Sequence, residues 1–150
     1  MKYSVPALLV ILSLWLPTAW SEDLLMVRSS QAFPETMLTL QQTIKDYGYT
    51  VSRVQRVDIG LTAMGYETDK YRVVFYGKLD EQQRITNKFP AFIPYLPLKI
   101  AIFAEGNETL LVATNPTSFK AYYVDPQLVI QFDHWESDLR AIFEEVRNTE

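Results

Sequence analysis

The residues best suited to metal chemistry are the single histidine, His134, and the acidic side chains beside it. Asp138 follows His134 four residues later, a spacing that places both side chains on one face of a helix. Sites for transition metals usually combine several nitrogen or sulfur ligands, and the chain has no cysteine to add to its one histidine. We therefore expect no metal and no other cofactor, and His134 with Asp138 is kept as the metal candidate to be located in the structure.

The motifs of nucleophilic and phosphate-transfer enzymes are missing or incomplete. A chain without cysteine has no thiolate chemistry, and no G-x-S-x-G sequence marks a serine nucleophile. Gly60 and Gly65 have the spacing that begins a phosphate-binding loop, but Tyr66 and Glu67 then stand where Lys and Ser or Thr are required. The sequence therefore predicts no catalytic residue.

A small-molecule site is predicted around a proline-rich segment, residues 89–97, and the lysine that follows it. Its three prolines rule out a regular helix or a central strand, so the segment is expected to be a stiff irregular loop that either covers the core or lines a pocket. Lys99 could supply a charge for an anionic group, with hydroxyls from Tyr71, Tyr76 and Tyr95. The alternative is a lysine at a strand end that points into solvent.

The clearest element that positions these residues is a β-hairpin. Lys99 to Glu105 and Glu108 to Thr114 are strand-like and are joined by a Gly106-Asn107 turn. In that register Phe103 faces Leu110 and Ala101 faces Val112 on one side, while Ile102 faces Leu111 on the other, so both faces are apolar. The pattern predicts either helices on both sides of the sheet or a second subunit on one of them, which would make a homodimer.

Two helices and three further strands are predicted around the hairpin. Helical spacing marks an early helix with Pro34 in its first turn and Gly48 at its end, and a long terminal helix that Asp125 caps and Pro126 begins. On the terminal helix, an ion-pair ladder is predicted for Glu136, Arg140 and Glu144. The other expectations are a first strand at Leu24 to Val27 buried on both faces, an edge strand at Tyr49 to Val57, a short helix or loop at Asp58 to Met64, and a central strand at Tyr71 to Tyr76.

The order of these segments resembles a known family. Tyr-Leu-Pro-Leu-Lys-Ile-Ala-Ile-Phe (95–103), preceded by Tyr71-Arg-Val-Val-Phe-Tyr76, followed by Ala113-Thr-Asn-Pro116 and with an early Gly48-Tyr49 pair, is similar to the bacterial and archaeal family called domain of unknown function 302, over about residues 30 to 147. The resemblance implies a small two-layer α+β sandwich, in which an N-terminal and a long C-terminal helix pack on a mostly antiparallel sheet. It allows a dimer and supplies no established activity. Many relatives have Cys where this chain has Leu98, so a thiol role suggested for them cannot apply here.

The N-terminus has the features of a secretory signal. Lys2 precedes an uncharged apolar stretch that Pro17 ends, and small residues follow, so cleavage is predicted between Ser21 and Glu22. This divides the chain into a signal peptide, 1–21, and one α+β domain, 22–150, that is periplasmic or secreted and has no stable membrane insertion after cleavage. An uncleaved anchor is the alternative reading.

Charge and composition bound the function. With 14 Lys and Arg against 18 Asp and Glu, the net charge is -4, which argues against a nucleic-acid partner. The sequence therefore predicts a non-enzymatic module for binding or self-association, with a homodimer and a small-molecule ligand as its partners. The alternative is an enzyme or redox-accessory protein with a small-molecule or metal site near the proline-rich segment and Lys99.

Overall fold

The structure, a computed structural model, describes residues 22–149. The predicted signal peptide, including Ser21 of the predicted cleavage site, lies outside the described residues. The described chain forms one antiparallel sheet of five strands in the order β1-β5-β4-β3-β2. The strands are β1 (Leu24–Ser29), β2 (Thr50–Arg56), β3 (Tyr71–Gly77), β4 (Leu98–Glu105) and β5 (Glu108–Thr114).

Four α-helices and two short 3₁₀ helices connect or follow the strands. The α-helices are α1 (Phe33–Asp46), α2 (Val57–Ala63), α3 (Leu79–Lys88) and α4 (Pro126–Asn148), and the 3₁₀ helices span Pro90–Tyr95 and Pro116–Ala121. No helix among residues 22–149 is both long and apolar enough to cross a membrane. The α+β fold class predicted from the family resemblance is confirmed.

The hairpin has the predicted register. Ala101 pairs with Val112, Ile102 with Leu111 and Phe103 with Leu110 across β4 and β5. Gly106 in the turn has a φ of 62°, a left-handed conformation that glycine adopts without steric cost. The hairpin lies at the centre of the sheet, between β1 on one side and β3 on the other.

The core lies between one face of the sheet and a layer formed by α1 and α4. Ile100, Ile102 and Leu111 are fully buried on that face of the hairpin. From the helices, Leu40, Ile44, Phe132, Ile142 and Val146 are fully buried. Both helices agree with the sequence prediction, including Pro34 at the start of α1 and the Asp125 side chain, which accepts a hydrogen bond from the Gln127 N–H of α4 at 2.9 Å.

The opposite face of the sheet, here called the open face, is apolar and half-exposed. Met26, at its edge, is 62 % exposed. The face has an open groove of about 410 Å³ over its centre, whose lining includes Val73, Ala101 and Val112. The apolar side chains of the open face are Leu24, Met26, Tyr71, Val73, Phe75, Ala101, Phe103, Leu110 and Val112.

The structure corrects two predictions about strands and loops. The first strand is not buried on both faces: β1 is an edge strand that pairs only with β5, and Leu25 and Val27 are buried whereas Leu24 and Met26 are exposed. An apolar run is compatible with either position, because periodicity alone does not show which side is covered. Residues 89–97 are not wholly irregular, since Pro90–Tyr95 forms a 3₁₀ helix with Pro94 inside it. Pro94 has no N–H to donate to the Ala91 carbonyl oxygen three residues before it, and that oxygen instead accepts a hydrogen bond from the Tyr123 hydroxyl.

Two further features of the helices differ from expectation. Helix α3 was not predicted from the sequence, because it buries only Ile85 and so presents no apolar stripe. The ladder on α4 is also arranged differently, because Arg140 pairs with Glu136 and with Glu22, while Glu144 pairs with Arg147. Glu22 reaches Arg140 because β1 lies against α4, a tertiary contact that helical spacing does not reveal.

Candidate functional site

A cavity of about 210 Å³ lies at the end of the sheet where β4 begins and β5 ends. It is enclosed by the two 3₁₀ helices and by the middle of α4. Its apolar walls come from Pro94, Leu98, Pro116, Phe119 and Leu139. Its polar groups come from Tyr76, Tyr95, Lys99 and Thr114. The cavity therefore combines a carbon-rich interior with one amine and several hydroxyl groups.

The cavity has a buried floor and an exposed mouth. Tyr76, Pro116 and Leu139 are buried, whereas Lys99 and Thr114 are exposed. Lys99 and Thr114 also line the groove on the open face, so the two hollows adjoin at this end of the strands. A charged side chain at such a mouth can stay hydrated while its stem packs on apolar surface.

The structure brings together three of the four predicted ligand residues. Tyr76, Tyr95 and Lys99 line the cavity, and Tyr71 does not. Tyr71 lies on the open face and pairs with Phe103, near the end of β4 that is far from Lys99. Both Tyr71 and Lys99 line the groove on that face. The sequence does not show which end of each strand lies near the cavity, so all four residues were expected around one site.

The proline-rich segment both closes the core and borders the cavity. Phe92 is fully buried and lies at the centre of an aromatic cluster, while Pro94 and Tyr95 line the cavity. Tyr123 closes this end by donating a hydrogen bond to the Ala91 carbonyl oxygen at 3.0 Å. The rings within 6.1 Å of Phe92, centroid to centroid, are Tyr95, Phe119, Tyr123, Phe132 and Trp135.

His134 and Asp138 lie together on α4, as their spacing predicts. The His134 Nε2 atom is 3.4 Å from Asp138 Oδ2 and 3.8 Å from Glu81 Oε1 of α3. Glu81 also accepts a hydrogen bond from Trp135 Nε1 at 2.9 Å. Within the part of the chain that the structure describes, no three His, Cys, Asp or Glu residues form a group that could hold a metal ion.

Asp138 is instead the centre of a network that links α4 to the strands. Its Oδ2 atom accepts a hydrogen bond from the Tyr49 hydroxyl at 2.6 Å and lies 3.7 Å from Lys78 Nζ. Burial, together with the hydrogen bond to Asp138, raises the pKa of Tyr49 well above its usual range. Burial and the nearby charge of Asp138 also raise the pKa of Tyr76. Both tyrosines therefore remain protonated at neutral pH, and the carboxylate serves a structural contact.

Charged residues lie at opposite corners of the open face. Arg53, on edge strand β2, pairs with Phe75, which in turn pairs with Lys99. At the far ends of β4 and β5, Glu105 pairs with Glu108, and both carboxylates contact Arg28 of β1. One corner of the face is therefore positive, and the diagonally opposite corner has a net negative charge.

Several site residues were not identified from the sequence. Phe119 and Leu139 of the cavity lie far from Lys99 along the chain, and Glu81 and Lys78 join the Asp138 network from around α3. The pair Asp80-Glu81 and Lys88 did give a signal for α3, because acidic residues favour the start of a helix and basic residues its end. Phe119 and Leu139 offered no such signal.

Comparison with known proteins gives a family and a fold. The family described as "Domain of unknown function DUF302" matches residues 25–146. A crystal structure of an uncharacterized conserved protein DUF302 from Bacillus stearothermophilus is similar, with a TM-score of 0.76 and 22 % sequence identity over 85 % of this chain and 100 % of that chain. Curated proteins give no match. The family resemblance inferred from residues 95–103 and their neighbours is confirmed, and the chain belongs to the family described as Domain of unknown function DUF302.

Proposed function

We propose that this protein is an exported, non-enzymatic module that forms a homodimer through the open face of its sheet. The observation that carries the proposal is the apolar, half-exposed surface on the side of the sheet opposite α1 and α4. Val73, Ala101, Val112 and Met26 form one continuous row across four strands. A surface of this kind on an antiparallel sheet is typical of a contact with another layer.

A second copy of this chain is the occupant that fits the charge pattern. If two open faces pack with their strands crossed at nearly a right angle, a two-fold axis along one diagonal places each Arg53 over the partner's Glu105 and Glu108. The same axis brings the two copies of Ala101, near the centre of the face, close together. The arrangement buries the apolar row and pairs opposite charges at both corners.

Sedimentation velocity at micromolar concentration tests the dimer. We expect the wild-type protein to sediment as a dimer and Ala101→Glu to sediment as a monomer, because two like charges would meet near the axis. Met26→Glu, at the most exposed apolar position of the row, should weaken the dimer without touching the core. A monomeric wild-type protein at this concentration would overturn the proposal.

Leu38→Glu is the matched control for these variants. Leu38 lies on α1 and is 71 % exposed, so its replacement adds the same charge on the helix side of the molecule. We expect this variant to remain dimeric. Far-UV circular dichroism of all three variants separates loss of association from loss of fold, and a Leu38→Glu monomer would show that the effect is one of net charge.

Export is the second part of the proposal. The sequence features at residues 1–21 support a signal peptide, with cleavage between Ser21 and Glu22. N-terminal sequencing of the protein from the exported fraction is the test. A mature chain that begins at Glu22 supports a periplasmic or secreted protein, whereas an intact Met1 supports a membrane anchor and contradicts cleavage.

A small-molecule site in the cavity is the second candidate function. The observation that favours it is a cavity with a buried apolar interior and an exposed amine, Lys99, at its mouth. Such a site would suit a binding protein, an enzyme or a redox-accessory protein, and these share the need for a bound small molecule. Native mass spectrometry of the protein purified without chelator tests for a retained ligand, and loss of that ligand in Lys99→Ala with retention in His134→Ala would assign it to the cavity.

A further inference from the structure

The interior of the cavity fits an apolar group about the size of one aromatic ring. Its volume is about 210 Å³, and its inner walls are formed by Pro116, Phe119 and Leu139. A cavity of about 150 Å³ lined by aliphatic and aromatic side chains is enough to hold a benzene molecule. The space here therefore accommodates a ring with a short substituent.

The mouth of the cavity favours a single negative charge. Lys99 is exposed and forms no ion pair with any residue in the range 22–149. No Asp or Glu is among the residues that line the cavity, so no carboxylate there would compete with an anion for Lys99. Thr114 adds a hydroxyl group beside Lys99. One ammonium group matches one carboxylate, whereas a phosphate group would need more than one cation or several backbone donors.

The floor of the cavity is formed in part by the buried side chain of Tyr76, which is 2 % exposed. An aromatic floor beside the walls of Phe119 and Leu139 suits the apolar body of a ligand.

We propose that the cavity binds a small monocarboxylate whose apolar body is about the size of one aromatic ring. The ring lies between Phe119 and Leu139, and the carboxylate lies at the mouth beside the Lys99 ammonium group and the Thr114 hydroxyl. This inference rests on the second candidate function, a small-molecule site in the cavity, and specifies the chemistry of its ligand. It is argued from the cavity and not from the apolar row of the open face, although Lys99 and Thr114 border both hollows.

Titration with 3-phenylpropionate and with its neutral amide tests the proposal. The protein is expressed from its full reading frame, and binding is followed by ¹H–¹⁵N NMR shifts of residues that line the cavity. We expect 3-phenylpropionate to bind and to shift those signals, and the amide to bind at least about tenfold more weakly, because it lacks the charge that Lys99 recognises.

Variants then assign the binding to the two parts of the site. Lys99→Met keeps most of the side-chain stem and removes the charge, so we expect about tenfold weaker binding of the acid and unchanged binding of the amide. Lys70→Met is the matched control, since Lys70 is an exposed lysine just before β3, at the far end of the sheet. Leu98→Phe fills part of the cavity and should weaken both compounds.

The outcomes separate failure of the carboxylate inference from failure of the site. If acid and amide bind equally and Leu98→Phe weakens both, the cavity is a ligand site but the carboxylate inference is wrong. If neither compound binds, the site itself is wrong. If the acid binds and Lys99→Met weakens it but Leu98→Phe does not, the contact is a surface ion pair and the proposal is overturned. Circular dichroism of each variant confirms that it is folded.

Discussion

Tyr49 is the residue that ties the start of β2 to the middle of α4. It is buried, and its hydroxyl donates to Asp138 at 2.6 Å. We predict that Tyr49→Phe lowers the free energy of unfolding by about 1.5 to 3 kcal/mol, the usual value for a hydrogen bond to a charged group. Urea denaturation at neutral pH measures the change. Tyr122→Phe is the control, because Tyr122 is 82 % exposed and its loss should change stability by less than about 0.5 kcal/mol.

The raised pKa values of Tyr49 and Tyr76 lead us to expect a loss of stability at alkaline pH. The pKa of a tyrosine in the unfolded chain is about 10, and the pKa values of Tyr49 and Tyr76 in the folded protein lie above it. Their contribution to stability is therefore complete below about pH 10 and is lost as the pH rises further, because only the unfolded state releases these protons. We expect a smaller alkaline loss for Tyr49→Phe. Equal slopes for Tyr49→Phe and the wild type between about pH 9 and pH 11 would contradict the assignment.

At the scale of elements, the 3₁₀ helix of the proline-rich segment is held by one side chain. Phe92 is fully buried against the second 3₁₀ helix and α4, whereas its neighbour Ile93 is 47 % exposed. We predict that Phe92→Ala lowers the free energy of unfolding by about 3 to 5 kcal/mol, since removal of a buried ring leaves a cavity. Ile93→Ala should cost no more than about 0.5 kcal/mol.

Trp135 gives an independent reading of the Phe92 substitution. Its ring lies 6.1 Å from the Phe92 ring, and it is the only tryptophan among residues 22–149. We expect the fluorescence emission of Phe92→Ala to shift to longer wavelength in the folded state, because water gains access to the indole. If Phe92→Ala costs as little as Ile93→Ala and leaves the emission unchanged, this segment borders the cavity but does not hold the core together.

The elements that the sequence predicted are those with strong local patterns. The hairpin followed from two strand-like, largely apolar runs on either side of Gly106-Asn107, and α4 followed from apolar spacing together with Asp125 and Pro126 at its start. α3 was missed because a helix with only Ile85 buried has no apolar stripe to detect. The position of β1 at an edge is set by which strands pair, and that depends on the whole fold.

For the candidate site too, the sequence indicates the proximity of residues that are close along the chain but not of those that the fold brings together. Tyr95 and Lys99 line the same cavity because they lie just before and just inside β4, only a few residues apart. Tyr71 lies away from the cavity, because it is at the end of β3 that pairs with Phe103, whereas Tyr76 is at the end that pairs with Leu98. Leu139 could not be assigned to the site from the sequence, because its spacing on α4 predicts only that it faces the core.

The whole molecule has one face of its sheet covered by helices and one face left apolar and open. The hairpin contributes to both faces: Ile102 and Leu111 point toward the helices, and Ala101 and Val112 point toward the groove. The mouth of the cavity adjoins that groove at Lys99 and Thr114. A dimer formed through the open face would therefore lie next to the mouth, so association and ligand binding need to be measured separately.

Association through the open face predicts a melting temperature that depends on protein concentration. A dimer that forms only from folded chains stabilises the folded state by mass action, and a hundredfold rise in concentration should raise the Tm of a protein of this size by about 5 °C. Calorimetry at protein concentrations across this hundredfold range measures the change in Tm. Ala101→Glu should show a constant Tm, and Leu38→Glu should rise as the wild type does, because its added charge lies on the helix side. If the wild-type Tm stays constant although sedimentation shows a dimer, the dimer dissociates before the chain unfolds. The open face would then contribute to association but not to the stability of the fold.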